Sequence, residues 1–418
     1  MTGGQRVSSF LHPPCPLAEA ARQGLRAGLE ALAPIGRDPG TGGYWRFSWT
    51  PEDQRLRAWF AARAEASGMA HEQDGNGNLW AWWGDPAAGG AIATGSHLDS
   101  VPGGGPYDGP LGVVSGFVAL DLLRARGVPP ARPLAVVAWC EEEGGRFGVA
   151  CLGSRLATGA IDPDQARALT DPGGLTLARA MREAGADPGR LGPDPERLGH
   201  LAAFVELHVE QGRGLGQAVG VGSAIWPHGR WRMGFQGTAD HAGTTRLPDR
   251  HDPMLPLAQV VLATRSAAAS HQALGTVGRV VVEPNATNGV AGKVSAWLDA
   301  RAPDQGRLNA TVEVIRQVAS RAAAEHGVGL DFEQESFTPR VELDAGLRRR
   351  ARQVLGGVPE VETGAGHDAA VLASALPTAM LFVRNPTGVS HSPAEAAGED
   401  DCVAGVLALA GLLEDLSR

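Results

Sequence analysis

The chain has 418 residues, 43% of them hydrophobic and 20% charged, which gives enough length for two domains and enough apolar mass for a large core, and argues against intrinsic disorder or a coiled coil. Its 46 acids outnumber the 37 Lys plus Arg, for a formal net charge of −9, a balance that disfavours a surface made to wrap nucleic acid or an anionic membrane. Gly (58) and Pro (29) are frequent but follow no G-X-Y period, so many turns are implied and collagen is excluded.

The opening MTGGQRVSSFLHPPCPLAEAARQG lacks the basic flank and apolar run of an export signal, and no window has the uninterrupted apolar length that a bilayer requires. Cys15, Cys140, Cys151 and Cys402 are scattered without a CxxC pair, so a reducing cytoplasm and a soluble protein are expected. Helices are expected at Leu17 to Leu32 and Pro51 to Met69, the second with Pro at its start and acids in its first turn. GTGGYWRFSW, lying between them, lacks the Lys-Ser/Thr end and the strand–GxGxxG–helix setting of a nucleotide loop, and is assigned to packing or to the substrate side. GNLWAWWG and AIATGSHLDS read as a hairpin-like pair of strands, with Trp80, Trp82 and Trp83 as packing residues. A buried helix at Leu111 to Ala125 and the strand RPLAVVAWCEEE follow, and strand, helix, strand in that order predicts an α/β sheet with crossovers.

Residues 157–201 read as short helices and loops before the strand AAFVELHVEQG. From Gly220 the pattern changes to strands interspersed with helices at Asp252 to Ser270 and Gly306 to His326, as in a compact α+β module inserted in a larger α/β domain. The first architecture resumes with a helix at Asp344 to Leu355, the loop GAGHDA, the strand TAMLFV and a final helix from Asp400 to Leu416. The domains are therefore drawn as 1–212 and 339–418 for the two parts of the larger domain, with 213–338 as the insertion.

Three apolar strands end on groups able to bind a metal: His97 and Asp99 in GSHLDS, Glu141 to Glu143 in CEEEGGRF, and His208 with Glu210 in ELHVEQG. Asp108 and His391 lie in loops. A single strand-end His is more often an ordinary hydrogen-bonded residue. Several such ends brought to one edge of a parallel-type sheet point instead to a site. Imidazole and carboxylate donors suit zinc, manganese, cobalt or nickel. Three adjacent acids repel one another unless a cation offsets them, and two roles are natural there: one carboxylate binds metal while its neighbour serves as general base.

The strings GSHLDS, GGGPYDGPLGV, EEEGGRFG, ELHVEQG, GTADHAGTT, PNATNGVAG and GHDA…GVSHSP follow in order over almost the whole chain. Together they resemble the dinuclear-metal amidohydrolases of the aminoacylase-like peptidase superfamily, and within it the N-carbamoyl-L-amino-acid hydrolase and allantoate amidohydrolase group. The resemblance implies an α/β, zinc-exopeptidase-like catalytic domain with a mixed central sheet, interrupted by an α+β, ferredoxin-like lid and dimerisation domain. It implies two divalent ions: His97 and His208 on one, Glu143 and His391 on the other, and Asp108 bridging. Glu142 would be the general base, with Asp99 orienting the His97 imidazole through its other nitrogen. A metal-bridging water would attack a ureido or amide carbonyl. His241 would stabilise the oxyanion or contact substrate, from the partner subunit of a homodimer; Asn288 and Arg301 would grip a substrate carboxylate, and Gln211 and His367 would line the cleft.

The expected activity is hydrolysis of an N-carbamoyl-L-amino acid or allantoate, a small carboxylate-bearing substrate. The alternatives are an aminoacylase or dipeptidase of the same superfamily and, from another class, a non-catalytic dimeric binding protein. The family commonly has Pro-Met after GTT, whereas Arg246 and Leu247 stand here, and Arg384 and Asn385 precede the His391 loop. An added arginine could read a second acidic group on the substrate or could equally face solvent.

Overall fold

The computed structural model of the chain describes residues 16–127 and 129–418. Cys15 and the opening segment that was read against an export signal lie outside the described residues. In chain order the strands are β1 (Ala70–Gln73), β2 (Leu79–Trp83), β3 (Ala91–His97), β4 (Leu134–Trp139), β5 (Leu201–Val209), β6 (Val219–Ile225), β7 (His228–Gln236), β8 (Asp240–His241), β9 (Leu274–Glu283), β10 (Gly289–Val290), β11 (Lys293–Arg301), β12 (Gly329–Thr338), β13 (Val341–Glu342), β14 (Glu360–Thr363) and β15 (Thr378–Val383).

Every residue of β3, β4 and β15 is buried, as expected of apolar runs covered on both faces. β3 runs parallel to β4 and β5, and β5 parallel to β15, while β2 and β6 flank this parallel centre in antiparallel register. The mixed sheet has the order β1-β2-β4-β3-β5-β15-β6-β13, with β14 beside β6. The crossover helix Pro110–Ala125 begins on proline, whose fixed φ suits a first turn. Its Leu111, Val114 and Phe117 share one core with Val136, Val205 and Leu381 of the sheet and with Val406 and Leu413 of the closing helix Glu399–Leu416. The parallel register sets His97 opposite Trp139 and His208 opposite Phe382, so the loops after β3, β4, β5 and β15 leave from one sheet edge.

Two expectations change. β3 is not a hairpin partner of β2: it lies between β4 and β5, and β2 pairs with β1 and β4. The apolar run of β3 belongs to a fully buried parallel strand, which a hairpin edge cannot cover. The chain also stays in the first sheet past residue 212, because β6 pairs with β15, and the contacts divide the chain into one unit through Ala224 that resumes at Glu342–Arg418 and a second unit, Ile225–Val341.

The second unit follows the order β7, helix Met254–Ser270, β9, β11, helix Gln305–Glu325, β12, and its antiparallel sheet is ordered β12-β7-β11-β9. Leu257, Val260, Leu308 and Ile315 of the helices share a core with Met233, Phe235, Val294 and Leu298 of the strands. Among the described residues no helix is long and apolar enough to cross a membrane. Cys140, Cys151 and Cys402 are buried free thiols. Within GTGGYWRFSW the buried Arg46 guanidinium packs inward and donates to the Leu32 and Ile35 carbonyls at 2.8 and 3.0 Å, and burial lowers its pKa to about 10.

Candidate metal centre

Asp108 stands where the imidazoles converge. Its Oδ1 is 3.5 Å from His97 Nε2 and 3.2 Å from His208 Nε2, and its Oδ2 is 3.4 Å from His391 Nε2. His391 Nε2 is also 3.5 Å from Glu143 Oε2. Two donor triads result, His97–Asp108–His208 and Asp108–Glu143–His391, with Asp108 common to both. Gly109, at φ 83°, lets the chain turn directly into the helix Pro110–Ala125, and a Cβ there would come within 2.5 Å of the His97 ring.

The imidazoles are prepared for a cation. His97 Nδ1 meets the backbone carbonyl of Asp99 at 3.0 Å and His208 Nδ1 that of Val209 at 2.8 Å, contacts that place the ring hydrogen on Nδ1 and turn the Nε2 lone pairs toward Asp108. His208 Nε2 is fully buried without a hydrogen bond of its own. Asp99, Asp108, Glu141, Glu142, Glu206, Asp368 and Glu395 are all buried in this unit, an acid excess that the imidazoles alone do not offset. An orphaned imidazole nitrogen, two triads of N and O donors and a surplus of buried carboxylates all fit a pair of divalent cations.

The Glu triplet divides its work by backbone geometry. Glu141, at φ 55°, turns its Oε1 back to the Arg146 and Phe147 amides at 3.0 and 2.8 Å and so leaves the centre. Burial and the neighbouring Asp99 push it up to about 7. Glu142 points inward, with Oε2 3.7 Å from His97 Nε2 and Oε1 accepting the Cys151 thiol at 3.3 Å. Burial raises the Glu142 pKa well above the ordinary range; His97 opposes this, and Asp368, Glu143 and Asp99 add to it. Asp108 moves the other way: burial works against its ionisation, but the adjoining His208 and His97 imidazoles hold its carboxyl well below the usual range.

Asp99 touches the His97 ring through its backbone carbonyl, while its carboxylate stands 3.7 Å from Nδ1 and accepts the Glu142 and Glu143 amides at 3.1 Å each. It therefore places the two glutamates as much as the imidazole. Glu210, read as a possible metal donor, instead caps its own turn by accepting the Gly214 and Leu215 amides. Gln211 Nε2 lies 2.9 Å from Asp108 Oδ2 and 3.0 Å from Ser390 Oγ. The buried His367 ring packs 4.5 Å from His208 at the start of the short helix Asp368–Leu372. Glu206, which no sequence argument singled out, lies behind His208, accepting Ser96 Oγ at 2.8 Å and the Ala369 amide at 3.0 Å, and with His208 and His367 it forms a third group of possible donors. It stands two residues before His208 and so on the same strand face, a signal the sequence did contain.

His241 and Asn288 belong to the second unit, where β8–β10 pairing sets His241 opposite Gly289 and the Ala242 amide donates to the Asn288 carbonyl at 3.0 Å. Arg301 ends β11, with its guanidinium on Asp299 at 2.8 and 3.1 Å. The added arginines have local partners: Arg246 pairs with Asp249 at 2.7 Å, and Arg384 forks onto Asp401 at 2.9 and 3.1 Å. Asn385 shapes its loop by accepting the Thr387 and Gly388 amides. Arg384→Gln is therefore expected to change KM for acidic and neutral substrates by less than about two-fold while costing at most about 1 kcal/mol of stability, which paired kinetics and denaturant unfolding would check.

The sequence pattern of peptidase family M20/M25/M40 matches residues 93–415, and the chain belongs to that family. Within it, the chain falls in the hydantoinase/carbamoylase family. It is 36% identical to the N-carbamoyl-L-amino acid amidohydrolase of Geobacillus stearothermophilus, over 90% of this chain and 94% of the relative. It is 32% identical to the allantoate amidohydrolase of Escherichia coli, over 95% of this chain and 98% of the relative. The crystal structure of a hydantoinase/carbamoylase family amidase from Burkholderia vietnamiensis superposes with a TM-score of 0.87 at 30% identity, covering 95% of this chain and 97% of that one. The protein is a hydrolase of this superfamily with a candidate dinuclear metal site.

Proposed function

We propose that the protein is a dinuclear metal-dependent amidohydrolase cleaving the ureido C–N bond of an N-carbamoyl-L-amino acid or of allantoate. The observation that carries this reading is the pair of donor triads sharing Asp108, with the Glu142 carboxylate beside them. The activities of the two relatives support the choice of bond. His97, His208 and Asp108 hold one divalent cation, and Asp108, Glu143 and His391 the other; zinc, manganese, cobalt and nickel all suit these donors. Such cations supply Lewis acidity to the scissile carbonyl and lower the pKa of an attacking water.

Glu142 accepts the proton of the attacking water and returns it to the departing nitrogen. Asp99 keeps Glu142 and Glu143 in place through their amides. Gln211 and His367 line the cleft, His241 serves the developing oxyanion, and Asn288 with Arg301 takes the substrate carboxylate, for which a planar guanidinium fork is apt. The second unit acts as a ferredoxin-like lid and dimerisation domain. Exposed Leu255, Leu262, Leu274 and Val280 give it the apolar surface that supports a homodimer. The buried free thiols fit a cytoplasmic setting.

The test is a panel of allantoate and N-carbamoyl amino acids with acidic, apolar and small side chains against their N-acetyl and N-formyl counterparts, after reconstitution with manganese, cobalt or zinc. Ammonia release reports the ureido substrates and free amino acid the acyl ones. The ureido compound is expected to exceed its acetyl partner by at least about 100-fold in kcat/KM, because a site that hydrogen-bonds the ureido NH₂ leaves those groups unpaired on a methyl. Preference for the acetyl partner would move the protein to the aminoacylases.

A further inference from the structure

Asp108 carries the centre, yet it sits in a glycine-rich loop rather than on a strand or helix, so something must hold it. Gly104 is tied to Tyr44 by two backbone hydrogen bonds, at 3.0 and 3.1 Å. Beyond it the amides of Tyr107 and Asp108 both donate to one oxygen, Oε2 of Glu395, at 2.8 and 3.0 Å. Glu395 is buried and lies four residues after His391, in the loop that follows β15. Its other oxygen faces Ser390 Oγ at 3.5 Å, and that hydroxyl in turn is 3.3 Å from Asp108 Oδ2. One side chain thus ties the loop bearing Asp108 to the loop bearing His391.

The cradle is shaped for this carboxylate. A Cβ on Gly105 would lie 2.3 Å from Glu395 Oε2 and 2.6 Å from its Cβ and Cδ, so the third glycine of GGGPYDG leaves the space that the Glu395 side chain fills. Gly105 has no left-handed backbone angle, so an alanine there meets Glu395 and not a backbone restriction.

We propose that Glu395 is a positioning residue of the metal centre: it fixes Asp108 through the Tyr107 and Asp108 amides, and thereby sets the affinity of both cation positions. The inference rests on the dinuclear reading above, and it concerns geometry, not charge.

The test is calorimetric titration of the metal-free full-length protein with Mn²⁺ alone, beside circular dichroism of each metal-free variant. Glu395→Ala is expected to weaken Mn²⁺ binding by about 10–100-fold, the range for losing a group that orients a ligand. Gly105→Ala, which expels the Glu395 side chain, is expected to do the same without altering that residue, and it decides the matter if Glu395→Ala does not fold. The double variant should be no weaker than either single one, since both remove the same contact. Glu395→Gln, whose carbonyl oxygen can accept both amides, should return to within about three-fold of the wild type. Wild-type affinity in both Glu395→Ala and Gly105→Ala overturns the proposal, as does a Gln variant as weak as the Ala one. A wild-type protein that takes no Mn²⁺ overturns the dinuclear reading and this inference together, whereas two ions in the wild type with unaffected variants overturns this inference alone.

Discussion

Glu142→Gln is expected to lower kcat by about 10²–10⁴-fold, the range for removing a general base, while KM and bound metal stay near wild type. The substitution keeps the volume of a buried side chain and the Glu142 amide that donates to Asp99 at 3.1 Å, so the backbone of the Glu triplet has no reason to move. It replaces the oxygens facing His97 and Cys151 by an amide that accepts no proton. Glu142 belongs to neither donor triad, so cation binding should survive. Turnover within ten-fold of the wild type would remove Glu142 from the proton transfer. Full loss of metal would instead make it a ligand.

Asp108→Ala is expected to abolish both cation positions at once and to lower kcat/KM by at least about 10³-fold, as when a Lewis acid and the water it activates are lost together. Asp108 is the member common to both triads, with one oxygen toward His97 and His208 and the other toward His391. The same change deletes the acid that lies between two buried imidazoles, so His97 and His208 face each other with no carboxylate between them. Metal content after gel filtration, measured beside turnover, checks the outcome. One ion retained per chain would show that Asp108 serves a single position and does not bridge.

Much of the centre was legible because strands announce themselves by composition. AIATGSH and LAVVAW are apolar until they meet His97 and Glu141 to Glu143, and a ligand-type side chain at the end of a buried strand stands out. Parallel crossovers could also be read from strand, helix, strand. Loop contacts were not legible. Glu395 reaches back across 287 positions to the Asp108 amide, and no periodicity links the two. Glu206 lies inside the otherwise largely apolar run AAFVELHV, where only its two-residue spacing from His208, which places both on one face, marks it. The edge of the inserted unit is hidden for a related reason: the polar stretch after Val209 looks like a domain junction, but it is a turn capped by Glu210 that returns the chain as β6 to the same sheet. The partners of Arg246 and Arg384 stand three and seventeen residues away, Asp249 and Asp401, and only the folded chain identifies them.

The most direct measurement is a stoichiometric titration of chelator-stripped protein with Mn²⁺, followed by ammonia release from an N-carbamoyl-L-amino acid. Turnover is expected to be absent in the stripped protein and to reach its plateau at two equivalents per chain, one for each triad around Asp108. Full turnover in the stripped protein, or a plateau at a single equivalent, would contradict a dinuclear amidohydrolase.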